Sequence, residues 1–235
     1  NKRGFAISDR ITVSEQKQVK AGKWMIKKWF VVYAPPLFNS VEIGEVPADE
    51  PSKLINRTLE ITLFDITRDL SHLHIKLRFQ IDRVEGDKAF TRFKGMELTR
   101  DYVRSLIRRG SSLIQLIQDV QTTDNALLRV TVLAMTPTRC KSSQKRAIRK
   151  AFMNVLTEFS SKVDFDGFVK AAVYGDLSNQ LFAAGKKIYP LRKVEIYKIK
   201  VLRYPTGIVK PAAEEVKVAE AAAQPSQPSP SSPPS

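Results

Sequence analysis

The sequence predicts an α+β fold on an antiparallel core, and three stretches carry that prediction. In the first, Leu73, Ile75, Leu77, Phe79 and Ile81 alternate with His74, Lys76, Arg78, Gln80 and Asp82. A period of two turns one strand face to a core and the other to water. Gly86-Asp87 then supplies a two-residue hairpin signal, and a return strand over about 88–93 completes the pair. In the second, residues 111–122 and 126–136 read as another hairpin, turning at Asp124-Asn125 and ended by Pro137. In the third, Ile148, Phe152, Val155 and Phe159 recur at intervals of three and four. That is the apolar stripe of a long helix, which Ser142 or Ser143 can cap.

The remaining elements follow in order. Residues 1–28 form a basic arm in which Lys17, Lys20, Lys23, Lys27 and Lys28 meet Glu15 alone, with Trp24 and Trp29 among them. A Trp between lysines can stack on a base or anchor the arm onto its own domain, and the spacing leaves both open. Residues 29–33 are strand-like and end at Pro35-Pro36, where the backbone is forced to extend. Residues 39–57, with Pro47 and Pro51, read as loop, and Leu59, Ile61 and Leu63 then alternate with Glu60 and Thr62 as a half-buried strand. Residues 95–110 read as a short helix with Thr99 as its cap, Asp101 in its first turn and Gly110 ending it. Val103, Leu106 and Ile107 share one face, while Arg100, Arg104 and Arg108 stand above one another at a spacing of four. Two more helices are expected over 164–173 and 178–187, the second broken at Tyr189-Pro190. The last strand, 192–203, changes apolar phase between Val194/Ile196 and Ile199/Val201, which predicts a bulge near Tyr197-Lys198. The expected organisation is an arm over 1–28, a core over 29–205, and a disordered Ala/Glu/Pro/Ser-rich tail over 206–235.

Charge bounds the function. With 39 Lys and Arg against 24 Asp and Glu, the net charge is +15. Such an excess repels itself in a compact state and points to a polyanionic partner. The cations fall in four groups: the arm (Lys23, Lys27, Lys28), the Arg100, Arg104, Arg108 helix with Arg109, the acid-free run of Arg139, Lys141, Lys145, Arg146, Arg149 and Lys150, and the stretch from Lys186 and Lys187 to Arg203. A reader of DNA sequence concentrates its charge on one groove-entering element. Dispersed clusters suit folded RNA recognised through backbone and shape.

Catalytic and metal readings find less. Cys140 is the sole cysteine, so no disulfide within the chain is expected. His72 and His74, at i and i+2, share a strand face in this reading but have no evident third metal ligand. Asp65, Asp69 and Asp82 could hold a magnesium for phosphodiester cleavage, yet they are scattered and carry no motif. Gly185-Lys186-Lys187 lacks the upstream glycine of a phosphate-cradling loop. No cofactor, metal or catalytic residue is expected. No apolar run reaches ~18 residues, so no membrane span is expected, and the reading is of an intracellular protein.

Several segments together resemble one family. They are Ala34-Pro35-Pro36-Leu37-Phe38-Asn39 with Ile43-Gly44, and Gly95-Met96-Glu97-Leu98-Thr99-Arg100-Asp101. Thr122-Thr123-Asp124 with Leu127-Leu128-Arg129, residues 144–150, and Ile188-Tyr189-Pro190-Leu191 continue the pattern. In order and spacing this resembles the small-subunit ribosomal proteins of archaea and eukaryotes called S-three-A-e or e-S-one. The short arm and the Ala/Glu/Pro/Ser-rich tail lean towards an archaeal member. The resemblance implies a β-barrel-like antiparallel core flanked by helices and a structural, non-enzymatic role on the small-subunit platform. It places such a protein near the mRNA exit and the 3′ end of the small-subunit rRNA, ribosome-bound in the cytoplasm. Its implied partners are that rRNA, neighbouring platform proteins and mRNA near the exit, with Arg100 and the Arg139–Lys150 run facing RNA. An RNA-processing enzyme and a free RNA-binding translation factor are the competing readings.

Overall fold

The computed structural model describes residues 27–205; the expected arm up to residue 26, with Lys23, and the expected tail lie outside the described residues. Eight strands and five α-helices are found there, with short 3-10 turns between them. In chain order they are β1 (Lys28–Tyr33), β2 (Glu42–Ala48), β3 (Thr58–Thr62), α1 (Leu63–Thr67), β4 (Ile75–Glu85), β5 (Lys88–Leu98) and α2 (Arg100–Leu106). Then come β6 (Leu113–Gln121), β7 (Leu127–Met135), α3 (Ser142–Ser160), α4 (Phe165–Tyr174), α5 (Asp176–Lys186) and β8 (Lys193–Arg203). The expected α+β class with an antiparallel core flanked by helices is what these elements build.

The sheet is organised on β5. Its order is β2-β1-β5-β8-β7-β6, with β4 on the other edge of β5 and β3 beyond it. One edge of β5 pairs with β4 along its length. The other is divided between β1, parallel to Lys88–Phe90, and β8, antiparallel to Gly95–Glu97. β5 runs about 33 Å, so β1 and β8 meet it at opposite ends. Gly95 permits the second meeting: a Cβ there would lie 2.5 Å from the carbonyl oxygen of Ile199.

One core runs under both halves of the sheet. Phe38, Phe79, Phe93 and Phe165 form a chain of ring contacts at 5.5–6.4 Å from strand to helix. α3 packs on β6 and α5, and α5 packs on β8. Phe152 and Leu156 of α3 and Leu181 of α5 are fully buried in that core. A smaller cluster of Phe30, Val32, Ala48, Leu54, Ile81 and Ala89 fills the space under β1 and β2.

Both hairpins form as read, with Gly86 and Asn125 at φ +60° and +58° in their turns. The bulge in β8 is present, the register slipping past Tyr197 between Lys198 and Ile196. Other expectations need correction. The 39–57 loop contains β2, which accommodates Pro47 because among the described residues it is an edge strand paired only with β1. Leu63 opens α1 instead of ending β3. The Asp65 carboxylate accepts the backbone N–H of Thr62 at 3.0 Å and its hydroxyl at 2.7 Å, a cap legible as Thr-x-x-Asp. β4 starts at Ile75, and Leu70–His72 form a 3-10 turn, so His72 and His74 do not share a strand face and Leu73 is exposed. β5 continues to Leu98, through the residues read as the approach to a helix. α3 is capped at Lys141, whose N–H donates to Gln144 Oε1 at 3.0 Å, and Ser142 is already helical. Its buried stripe is Ile148, Phe152 and Leu156, with Val155 and Phe159 flanking it.

The largest correction concerns α2. It stops at Leu106, Ile107 is extended and exposed, and Arg108 lies beyond the helix. The expected three-arginine column is therefore absent: Arg100 and Arg104 are helical and Arg108 is not. In a longer helix the Leu106 carbonyl would accept the N–H of Gly110. Here the Arg192 guanidinium donates to it instead. Gly110 does adopt φ +80°, but in a turn after the helix. Thr99 starts α2 through its carbonyl, which accepts Val103 N–H at 3.2 Å, and its hydroxyl makes no capping bond.

Candidate nucleic-acid interface

The cations of this chain divide into two sets. One set is neutralised on the sheet surface. Arg78 reaches Glu60 at 2.7 Å and Glu97 at 3.3 Å, Lys198 reaches Glu97 at 2.7 Å, and Lys193 reaches Glu195 at 2.9 Å. Arg92 pairs with Asp82 at 3.3 Å and Arg129 with Asp119 at 2.7 Å. Burial pushes the Glu97 carboxyl up, but the hydrogen bond and charge of Lys198, with Arg78, outweigh it and hold it below its ordinary value. The expected fourth basic cluster therefore breaks up: Lys193 and Lys198 are already balanced, and Arg192 serves α2.

The other set meets no carboxylate among the described residues. It includes Arg100, Arg104, Arg108, Arg109, Arg139, Lys141, Lys145, Arg146, Lys150, Lys186 and Lys187. All are exposed except Lys145, which is half-buried. Arg149 differs: its Nε donates to the Gln115 carbonyl at 3.0 Å, occupying part of the free edge of β6.

Hydrogen bonds bring three of these cationic segments together. The Ser112 N–H donates to Thr136 Oγ1 at 3.0 Å, and Cys140 N–H donates to Ser112 Oγ at 3.1 Å. That joins the Arg108-Arg109 loop to the Arg139-Lys141 loop. Tyr189 then joins the segment after Lys186-Lys187 to the same loop, its hydroxyl lying 2.7 Å from Thr138 Oγ1 and donating to the Arg139 carbonyl at 3.3 Å. Arg192 completes the junction, its N–H donating to the Met135 carbonyl at 2.8 Å while its side chain holds the end of α2. The start of β6, the end of β7, the start of β8 and the first turn of α3 thus share one cationic end. Lys27 and Lys28 lie elsewhere, because β1 joins β5 at its opposite end.

A four-residue cluster positions Arg100 and Arg104. The His74 ring stacks on Tyr102 with centroids 3.9 Å apart. The Tyr102 hydroxyl donates to Glu195 Oε1 at 3.2 Å, and Lys193 Nζ donates to Tyr102 and lies 2.9 Å from Glu195. Burial pushes the His74 imidazole below its ordinary value of 6.5; Glu195 opposes this, and Lys193 and His72 add to it. The unfolded chain therefore binds the His74 proton more tightly, so this contribution is complete above 6.5 and lost as pH falls below it. Thermal melts between pH 7.5 and 5 should show a decline that His74→Phe, which keeps the stack, makes smaller. An unchanged decline in that variant would assign the loss to other groups.

The residues weighed for catalysis are engaged otherwise. Asp65 caps α1 and Asp82 pairs with Arg92. Cys140 is buried, its Sγ 3.4 Å from Gln144 Oε1. Among the described residues no three His, Cys, Asp or Glu side chains converge as a metal site, and no helix is long and apolar enough to cross a membrane. Nothing local in the sequence marks Ser112 or Thr136 as site residues; Tyr189 lies in the Ile188–Leu191 segment of the resemblance and Arg192 in the Lys186–Arg203 basic stretch.

Comparison with known proteins gives the family. The model of the Ribosomal S3Ae family matches residues 15–205. Small ribosomal subunit protein eS1 of Pyrobaculum calidifontis is 55% identical over 215 residues, covering 90% of this chain and 95% of that protein. The protein of the same name from Pyrobaculum islandicum is 53% identical over 218 residues, covering 93% and 94%. That from Staphylothermus marinus is 49% identical over 193 residues, covering 82% and 91%.

Proposed function

The chain belongs to the ribosomal S3Ae family, and from that premise we propose that it is a structural constituent of the small ribosomal subunit, anchored by rRNA phosphates at its cationic end. The observation that carries the rRNA contact is the convergence of unpaired cations on three hydrogen-bonded loops. Exposed guanidinium and ammonium groups without carboxylate partners release the counterions of a nucleic acid when they meet its phosphates. The sheet and helices hold those groups at fixed spacing, so the protein recognises the shape of folded RNA. The family role is structural and not enzymatic. The finer placement, on the platform near the mRNA exit and the 3′ end of the small-subunit rRNA, rests on the resemblance. Neighbouring platform proteins and mRNA are the further partners in this reading, and the particle-bound state in the cytoplasm follows with them.

Binding of the purified chain to small-subunit rRNA tests this directly. If about six of the free cations meet phosphates, affinity should fall by about 10³ between 50 and 200 mM salt. A salt-independent affinity would overturn the reading. In small subunits sedimented through a high-salt sucrose cushion the chain should stay with the particle, whereas a translation factor would wash off.

A further inference from the structure

We propose that the outer face of β1 and β2 docks a basic segment of a protein partner within the small subunit. The face is set by register. Phe30 and Val32 fill the small core beneath, so Trp29, Val31 and Tyr33 turn outward. Across the strands, Trp29 stands beside Pro47, Val31 beside Glu45, and Tyr33 beside Glu42. On the other side Val31 neighbours Lys88, and Tyr33 neighbours Phe90.

Trp29 is 61% exposed. The Trp29 indole therefore does not anchor onto its own domain, one of the two alternatives left by the sequence. The charge around it bears on the other, stacking on a base. Of the cations on the face, Arg83 is paired, lying 3.4 Å from Glu85 and over the Phe90 ring at 5.0 Å, and Lys88 lies over the Tyr33 ring at 5.9 Å. Glu42 and Glu45 are exposed and meet no cation among the described residues. Two free carboxylates beside an exposed indole repel a phosphate backbone and attract lysine or arginine. Trp, Tyr and Arg on a nearly neutral face, with free acids at its border, match the composition of protein–protein contact surfaces. The free negative charge is conspicuous in a chain of net charge +15, and it lies at the end of β5 remote from the cationic loops. One end thus suits RNA and the other a basic protein.

The inference rests on the ribosomal reading above, and the test separates the two. The full chain carrying p-benzoylphenylalanine in place of Trp29 is assembled into small subunits from rRNA and total small-subunit proteins, then irradiated. The expected adduct is with a Lys/Arg-rich segment of another protein, identified by mass spectrometry. Glu42→Lys with Glu45→Lys should lower its yield about tenfold, while leaving the affinity of the purified chain for rRNA unchanged. An adduct with rRNA, with a second copy of this chain or with an acidic segment would overturn the docking proposal. So would full incorporation without any adduct, or a yield indifferent to the two charge reversals. If the unsubstituted chain failed to enter the particle at all, the ribosomal reading itself would fall.

Discussion

Replacing Arg108, Arg109, Arg139 and Lys141 together with alanine is expected to make the log–log salt dependence of rRNA binding shallower by about three units. Each phosphate contact contributes roughly 0.7–0.9 to that slope, so four contacts account for about three. The four side chains are exposed and have no carboxylate partner among the described residues, so their removal leaves no buried charge behind. Thermal stability should change by no more than about 0.5 kcal/mol, as for surface substitutions generally. A variant lacking the paired cations Lys53, Arg83, Arg92 and Arg129 loses the same formal charge from a different place. These groups already face Asp49 and Glu50, Glu85, Asp82 and Asp119, so the slope should move far less. Equal slopes in the two variants would mean that net charge binds RNA and the convergent loops do not. Fluorescence anisotropy of labelled rRNA over a salt series distinguishes the outcomes.

Gly95→Val is expected to cost at least about 3 kcal/mol of stability, the upper end of the usual overpacking penalty. The new side chain would meet the Ile199 carbonyl oxygen, 2.5 Å from the position of Cβ. That atom is backbone inside a ladder and cannot rotate aside as a side-chain terminus could. The ladder it interrupts has only three register pairs, Gly95–Lys200, Met96–Ile199 and Glu97–Lys198. Among the described residues those pairs are the sole strand contact in the sheet order between the β1–β5 half and the β6–β8 half. Urea unfolding monitored by far-UV circular dichroism should show the loss, with Gly95→Ala intermediate. A midpoint for Gly95→Val within experimental error of wild type would mean that β8 can shift without cost.

Local chemistry made much of this legible. Alternation placed β4 on the sheet, the turn at Asp124-Asn125 marked the β6–β7 hairpin, and the phase change in residues 192–203 marked the bulge at Tyr197. The start of α4, within one residue of Asp164, and the Ile148/Phe152 spacing of α3 were likewise legible. The misses share a cause. Gly95 looked like a helix approach because its partner on β8, Lys200, is 105 residues away in sequence. Arg108 looked like the third rung of a helix because the group that ends α2, the Arg192 guanidinium, comes from the start of β8. Pro47 argued against a strand until β2 proved to be an edge.

For the candidate interface, composition and the acid-free run at 139–150 sufficed to name a polyanion and most of the free cations, because formal charge and its local spacing are properties of the chain. Which cations remain free was decided by folding. Arg78 and Lys198 are as basic in sequence as Arg139 or Lys186, yet the ladders place Glu60 and Glu97 against them. Convergence of the Arg108, Arg139 and Lys186 loops was also a tertiary outcome, resting on Ser112, Thr136 and Tyr189, each bonded across at least 24 residues of sequence. An ion pair or a hydrogen bond depends on distance in space, and a one-dimensional pattern carries that distance only along a single helix or strand.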